Sequence, residues 1–312
     1  MDLKGRLMLG LMVIVLISLL AGINNQISAE ELTILHTNDI HGRLEVDEEE
    51  GRMGIPVISS LIDDYRAERD NVLVLDAGDT IHGDVITNHF DGKSAVRTMN
   101  KAGFDVMVAG NREFMFGYER LAELDEEEME FDLLSANIKK DGEPLYDPYV
   151  IKQAGEKQVG IFGLTTSRTQ VTVSPERTRG LDFADYVDVS QKYVDLLQEK
   201  QVDLIIALGH VGTGTAEKVA KAVEGIDVFV DGHSHTVIEE GQWLNDTFHK
   251  IAGEYAKYLG VINVNLSKES PEFIQSAKTI TAEEGFARVE ADEEISQMLE
   301  EYGEIVVEDM LN

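Results

Sequence analysis

Short apolar runs alternate along this chain with amphipathic stretches of helical length, and this alternation constrains the fold more than any other feature. Val72–Leu75 is apolar throughout and Val202–Leu208 is nearly so, as expected for strands buried on both faces. Between such runs, Ile55–Glu68 and Phe183–Glu199 have the spacing of amphipathic helices. Strands that alternate with helices predict an α/β fold with a mostly parallel sheet.

The remaining elements are predicted from the same two patterns. Near the end of the chain, Phe248–Ala252 and Val261–Leu266 predict a final antiparallel pair of strands. Residues 286–312 are strongly acidic and keep apolar residues at helical spacing, so we expect an acidic C-terminal helix there that packs one stripe on the main domain, residues 30–285. Further strands are predicted at Leu32–His36, Val106–Ala109, Phe131–Ile138, Gln158–Leu164 and Val228–Val230.

Residues 1–29 have the pattern of a secretory signal peptide. Lys4 and Arg6 precede the apolar run Leu7–Leu20, and the small residue Ala29 stands before Glu30. The run is shorter than the ~20 residues that a spanning helix needs, although an uncleaved membrane anchor is the competing interpretation. Either interpretation predicts a secreted or cell-envelope protein, with membrane association only if the segment is retained.

Composition narrows the possible chemistry. The chain has no Cys, which excludes disulfides, thiolate zinc sites, iron–sulfur clusters and cysteine nucleophiles. Asp and Glu number 59 against 27 Lys and Arg, for a net charge of −32. A surface this negative repels the phosphate backbones of nucleic acids. We therefore expect no nucleic-acid polymer as a partner.

Polar residues with a neighbouring glycine follow five of the predicted strands. Ligands of open α/β sheets bind beyond the carboxyl ends of the strands, so these residues are expected to converge. They are the candidate metal ligands Asp39, His41, Asp79, Asn111, His210, His233 and His235. The other histidines, His36, His82, His89 and His249, are predicted to be structural or exposed.

This set is too large for one tetrahedral ion. It fits two divalent ions about 3.5–4 Å apart that share a carboxylate, an arrangement used in phosphoryl hydrolysis. Asp79, which alone follows a central strand, is the natural bridge. Such ions would polarise a phosphoryl group and lower the pKa of a bound water. Zn, Mn, Fe and Co all suit these ligands.

Five sequence blocks, in order, resemble the calcineurin-like metallophosphoesterases. Leu35–Gly42 and Ala252–Gly260 are similar, more narrowly, to secreted bacterial 5′-nucleotidases. The resemblance implies a two-sheet α/β sandwich flanked by helices, with a single catalytic domain. It also implies that Asp39, His41 and His235 hold one metal, that Asn111, His210 and His233 hold the other, and that Asp79 bridges them. The blocks are Asp39-Ile40-His41-Gly42, Gly78-Asp79, Gly110-Asn111-Arg112-Glu113, Gly209-His210 and Gly232-His233-Ser234-His235.

Two departures from the family pattern bear on function. The family has Gly-Asn-His-Glu, with a His that acts on the leaving group and often an Asp three residues later; here these positions are Arg112 and Met115. A guanidinium binds phosphate but does not release its proton, so the sequence leaves the proton donor open. The chain also ends at Asn312, where two-domain 5′-nucleotidases continue into a base-stacking domain, so we expect the N-terminal catalytic domain alone.

The sequence therefore predicts an exported phosphoesterase with two divalent metal ions that hydrolyses small phosphate esters, with nucleotides as the substrates that the resemblance suggests. Asn111 and Arg112 are the candidate catalytic residues, the first steadying charge and the second contacting phosphate oxygens. Two alternatives stay open: a homologue that binds metal or phosphate ligands without turnover, and hydrolysis of a different ester such as a sulfur-oxyanion ester. The oligomeric state is not predicted.

Overall fold

A computed structural model describes residues 30–268 and 270–312, and two six-stranded sheets form its centre. Four strands of the first sheet are parallel, and two more extend it antiparallel at one edge. Its spatial order is Ile274–Thr281 (β15), Tyr258–Asn265 (β14), Glu31–Thr37 (β1), Val72–Asp76 (β2), Val106–Val108 (β3) and Asp132–Leu134 (β4).

The second sheet has four parallel strands between two antiparallel edge strands. Its order is Gln242–Leu244 (β12), Thr247–Lys250 (β13), Val228–Asp231 (β11), Leu204–His210 (β10), Lys157–Thr165 (β8) and Tyr149–Ala154 (β7). A small third sheet contains Glu143–Pro144 (β6), Ile138–Lys140 (β5) and Leu181–Phe183 (β9).

The two large sheets pack face to face. Ile34 and Val108 of the first sheet belong to the same buried cluster as Ile206 and Val230 of the second. Alternate residues of the same strands, such as Leu35 and Phe229, are buried under helices on the outer faces. Because both faces of these strands are covered, their sequences are nearly continuous apolar runs.

Helices cover the outer faces. On the second sheet lie Tyr186–Glu199 (α6) and Thr213–Ala222 (α7). The helices on the first sheet's side are Gly54–Glu68 (α1), Val85–His89 (α2), Lys93–Ala102 (α3), Tyr118–Glu127 (α4), Ala282–Arg288 (α8) and Glu293–Leu311 (α9). The short helix Thr169–Thr172 (α5) and the 3₁₀ turn Arg112–Phe116 complete the elements. The predicted two-sheet α/β sandwich with outer helices is thus confirmed.

The predicted final antiparallel pair is wrong. β13 pairs in parallel with β11 in the second sheet, whereas β14 pairs with β1 in the first. Gly253, Tyr255 and Ala256, all at positive φ, turn the chain from one sheet to the other. Strand pattern alone does not reveal this change of sheet, because it does not show which neighbouring strand a segment pairs with.

The C-terminal helix α9 begins at Glu293 rather than at residue 286. Asp292 caps it by accepting a hydrogen bond from the Ile295 backbone N–H (3.0 Å), and α8 ends before it. Ile295 and Leu299 are buried in the core of the first sheet. The predicted signal segment, residues 1–29, lies outside the described residues. Within residues 30–268 and 270–312, no helix has both the length and the apolar character needed to cross a membrane.

Candidate metal centre

The predicted ligand residues converge at the carboxyl ends of the strands, and five of the seven line a cleft of about 770 Å³. Asp39 follows β1, Asp79 follows β2 and Asn111 follows β3. From the second sheet, His210 ends β10, and His233 and His235 follow β11. The topology therefore brings residues that are far apart in the sequence to the edge where the two sheets meet.

Tight turns hold most of these side chains. Five of the seven have a backbone in the left-handed region: Asp39 (φ 53°), His41 (52°), Asp79 (60°), His233 (71°) and His235 (54°). Non-glycine residues rarely adopt this conformation, and it concentrates at functional sites where the surroundings enforce it.

The first group of potential ligands contains Asp39, His41 and His235. The Nε2 atoms of His41 and His235 are 3.1 Å apart. Asp39 Oδ1 lies 3.2 Å from His235 Nε2 and 3.8 Å from His41 Nε2. All three side chains thus point one atom each at a common centre.

The second group contains Asp79, His210 and His233. His210 Nε2 lies 3.3 Å from both Asp79 Oδ2 and His233 Nδ1. The Oδ1 atom of Asn111, which lines the same cleft, is buried without a hydrogen-bond partner.

The two groups adjoin each other through their carboxylates. Asp79 Oδ2, 3.3 Å from His210 of its own group, is also 4.0 Å from His41 Nε2 of the first. Asp39 Oδ1 is 4.0 Å from His210 Nε2. Asp79 therefore faces both groups, which is the position a bridging ligand requires, and Asp39 lies close to both as well.

The residues fit divalent metal ions in their chemistry and spacing. Two nitrogen ligands about 2.1 Å from one zinc ion lie roughly 3.0–3.4 Å apart, and the facing histidine nitrogens are separated by 3.1 and 3.3 Å. Asp39 Oδ1 and Asn111 Oδ1 are buried acceptors without a hydrogen-bond partner. Buried polar atoms are almost always satisfied, so these two oxygens indicate a ligand.

Hydrogen bonds behind the ligands fix their orientation. His210 Nδ1 is 2.7 Å from the Ala77 carbonyl, which can only accept, so this nitrogen carries the proton and Nε2 is free to bind a metal. His235 Nδ1 contacts the Glu254 carboxylate, so this nitrogen also carries the proton and the Nε2 atom of His235 is free to bind a metal. Asp39 Oδ2 accepts from the His233 backbone N–H (2.8 Å), which leaves Oδ1 for the ligand centre.

The electrostatics of the centre are dominated by two carboxylates among imidazoles. Although burial favours neutral His210, Asp79 and Asp39 raise its pKa to about 10. Burial likewise favours neutral Asp79, yet His210 and His41 lower its pKa to about 2. These carboxylates would stabilise positive charge at this position, whether it is a proton or a metal ion.

Sequence reasoning missed the role of Glu113. Its buried carboxylate accepts four backbone N–H bonds, from Gly110 (2.7 Å), Asp79 and Thr80 (2.8 Å each) and Ile81 (3.1 Å). Glu113 thus ties the loop that carries Asp79 to the turn that carries Asn111. The sequence signal for this role was the position of Glu113 two residues after Asn111 in the block Gly110-Asn111-Arg112-Glu113.

The remaining histidines differ in position. His36 and His249 are buried, and His89 is exposed and bonds to Asp309 (2.9 Å), as predicted. His82 departs from its predicted structural or exposed placement, because it is half-buried and lines the cleft. The sequence spacing could not reveal the direction of its ring.

A family model described as calcineurin-like phosphoesterase matches residues 32–237, and the chain belongs to this family. A snake venom 5′-nucleotidase from Naja atra is 36% identical over 267 residues, which cover 75% of this chain and 50% of the relative. The 5′-nucleotidase of Bos taurus is 38% identical over 226 residues, which cover 68% of this chain and 39% of that one.

The structure of a 5′-nucleotidase precursor from Thermus thermophilus superposes with a TM-score of 0.76 and 28% identity, covering 90% of this chain and 60% of that chain. The chain thus spans half or less of the two curated relatives and three fifths of this structure. The similarity supports the predicted family of 5′-nucleotidase-like metallophosphoesterases.

Proposed function

We propose that this protein is an exported phosphoesterase that uses two divalent metal ions to hydrolyse small phosphate esters, nucleotides among them. The observation that carries the proposal is the pair of adjoining ligand groups, with Asp79 Oδ2 3.3 Å from His210 and 4.0 Å from His41. When bound, two ions at such a site polarise a phosphoryl group and supply a water of lowered pKa. Similarity to 5′-nucleotidases supports the nucleotide assignment, and the pattern of residues 1–29 supports export.

Asn111 and Arg112 are placed to bind the phosphoryl group. Both line the cleft, and the buried Nε of Arg112 has no hydrogen-bond partner. The Arg112 backbone N–H donates to Asp79 Oδ1 (2.6 Å), so the turn that presents the guanidinium is tied to the proposed bridging ligand. Arg112 would hold phosphate oxygens with several donors at once.

The cleft also concentrates positive charge. Arg43, Arg112 and Arg168 line it in a chain whose net charge is −32. Arg43 is held by Asp84 (2.7 Å). Positive side chains beside a metal centre favour an anionic substrate such as a phosphate ester, and the acidic remainder of the surface repels bulk polyanions.

The experiment compares the unmodified protein with Asp79→Asn, which keeps the side-chain shape but removes the charge. Metal-free protein is titrated with Mn²⁺, Zn²⁺ or Co²⁺, metal content is measured, and hydrolysis of p-nitrophenyl phosphate and AMP is followed. We expect metal-dependent turnover in the unmodified protein, and loss of half or more of the bound metal in Asp79→Asn. His89→Gln, which alters an exposed histidine, is the control.

Two results would contradict the proposal. Equal metal content in Asp79→Asn and His89→Gln would refute the ligand assignment. Metal uptake by the unmodified protein without hydrolysis of either ester would favour the non-catalytic alternative, for which the Arg112 substitution is the supporting observation.

A further inference from the structure

Besides the ligand groups, the cleft wall holds few side chains that can give up a proton near neutral pH. The arginines that line it keep theirs. Two titratable groups remain among the described lining residues, His82 and Tyr255. Tyr255 is the weaker acid of the two, since burial and Glu254 raise its pKa above the usual value of 10.0.

The backbone on both sides of His82 is fixed. Before it, the Thr80 and Ile81 N–H groups donate to Glu113 Oε1 (2.8 and 3.1 Å). After it, Gly83 has φ +146° and packs so closely on His41 that an added Cβ would lie 2.3 Å from the His41 carbonyl oxygen. His82 is therefore held between the loop of one proposed ligand and the backbone of another.

The ring of His82 is positioned as well. It packs against Phe116, with ring centroids 5.1 Å apart and planes tilted by 60°. Phe116 ends the same 3₁₀ turn that begins at Arg112. The Nδ1 atom of His82 is buried without a hydrogen-bond partner, while the residue lines the cleft. His82 and Arg112 thus line the same cleft.

We propose that His82 is the catalytic acid that protonates the leaving oxygen, an inference that rests on the proposed phosphoesterase function. In the step, the oxygen of a water forms a bond to phosphorus and the ester P–O bond breaks, with its electron pair going to the leaving oxygen. His82 gives that oxygen its proton. The proton lost by the attacking water returns to His82 through solvent, so the sum is ester plus water to alcohol plus phosphate.

The charges around His82 suit this role. Burial, Arg112 and Arg177 lower its pKa, and Asp79 opposes them. A lowered pKa makes the imidazolium a stronger acid, and a bound phosphate dianion offsets the two arginines so that the protonated form is populated in the complex. Hydrolysis that needs this proton should decline as pH rises through the pKa of His82 in that complex.

The test compares His82→Gln with the unmodified protein, both loaded with metal, on an aryl ester (p-nitrophenyl phosphate) and an alkyl ester (AMP). An alkoxide needs protonation far more than nitrophenolate does. Because proton donation contributes about 10²–10⁴-fold, we expect the ratio of aryl to alkyl kcat/KM to rise by ~10²-fold or more. The high-pH decline of the alkyl rate should disappear. His89→Gln should leave both the ratio and the pH profile unchanged.

The possible outcomes separate the two proposals. Absence of aryl turnover by the unmodified protein refutes the phosphoesterase function, and the role of His82 with it. Aryl turnover with equal losses on both esters in His82→Gln means that His82 is only structural. A selective alkyl loss in Tyr255→Phe instead of His82→Gln would assign the proton to Tyr255. If His82→Gln does not fold, a steep dependence of the unmodified protein's rate on leaving-group pKa refutes the role by itself.

Discussion

Replacing Glu113 by Gln tests how the loop of Asp79 is held in place. Each carboxylate oxygen of Glu113 accepts two backbone N–H bonds: Oε2 from Gly110 and Asp79, Oε1 from Thr80 and Ile81. A Gln keeps one of these oxygens and turns an NH₂ group toward the other two donors. Two bonds to a charged acceptor are lost, at about 1.5–3 kcal/mol each.

One effect opposes this loss. Burial raises the pKa of Glu113, and the nearby Asp79 raises it further, so removal of the charge relieves part of its desolvation and repulsion. We therefore expect destabilisation near the lower end of the range, about 3 kcal/mol. That is a large share of the ~5–15 kcal/mol that stabilises a typical domain.

Urea denaturation of the metal-free proteins at neutral pH measures this change. Glu127→Gln, on an exposed side chain of α4, is the matched control and should stay within about 0.5 kcal/mol of the unmodified protein. The metal affinity of Glu113→Gln should also fall, because the left-handed backbone of Asp79 loses its support. A destabilisation under about 1 kcal/mol, or unchanged metal affinity, would refute the reasoning.

Two further predictions concern charge. Burial, with Asp147 and Asp132, raises the pKa of Asp125 from 3.8 to about 6, so its ionisation destabilises the folded state as pH rises through this interval. Asp125→Asn should hardly change the stability at pH 4 and should raise it at pH 8 by about 1 kcal/mol, after allowing for the solvent contact of the side chain. Thermal unfolding at pH 4 and pH 8 checks this prediction. Equal changes in stability at the two pH values would contradict it. Arg112→Gln should raise the inhibition constant of inorganic phosphate by about tenfold or more. The control Arg69→Gln, which lies outside the cleft lining, should not change this constant. Equal inhibition constants for the two variants would show that Arg112 does not bind the phosphate.

The apolar pattern predicts the α/β class and the convergence of the ligand residues because strand ends are visible in it, whereas the two-sheet sandwich is implied by the family resemblance. Apolar runs identify the buried strands, and parallel strands present their carboxyl ends at one edge. The sequence does not predict which of the two sheets each strand joins. The patterns of β13 and β14 do not show which strands they pair with. The turn at Tyr255 and Ala256 that separates them depends on backbone conformations which a non-glycine sequence does not indicate.

Position along the sequence also fails to distinguish ligands from their supports. Asp76 and Asp231 lie at strand ends, as Asp39 does, but their carboxylates accept hydrogen bonds from loop backbone. Asp76 accepts from Thr37 (2.6 Å) and from the Gly78 N–H (3.0 Å). Asp231 Oδ1 accepts from the backbone that follows His210. Acidic residues at strand ends thus include those that fix the loops as well as those that face the metal centre.

The proposed ligands need supporting residues because their backbone conformation is energetically unfavourable. A non-glycine residue in the left-handed region costs on the order of 1 kcal/mol, and five proposed ligands adopt it. Such loops persist only where other groups determine their conformation. Buried polar side chains supply this determination: Glu113 for the loop of Asp79, and Asn38 for the segment at Gly253, to whose carbonyl it donates a hydrogen bond of 2.6 Å. The candidate metal centre therefore depends on buried polar side chains outside the two ligand groups, and their loss should weaken metal binding.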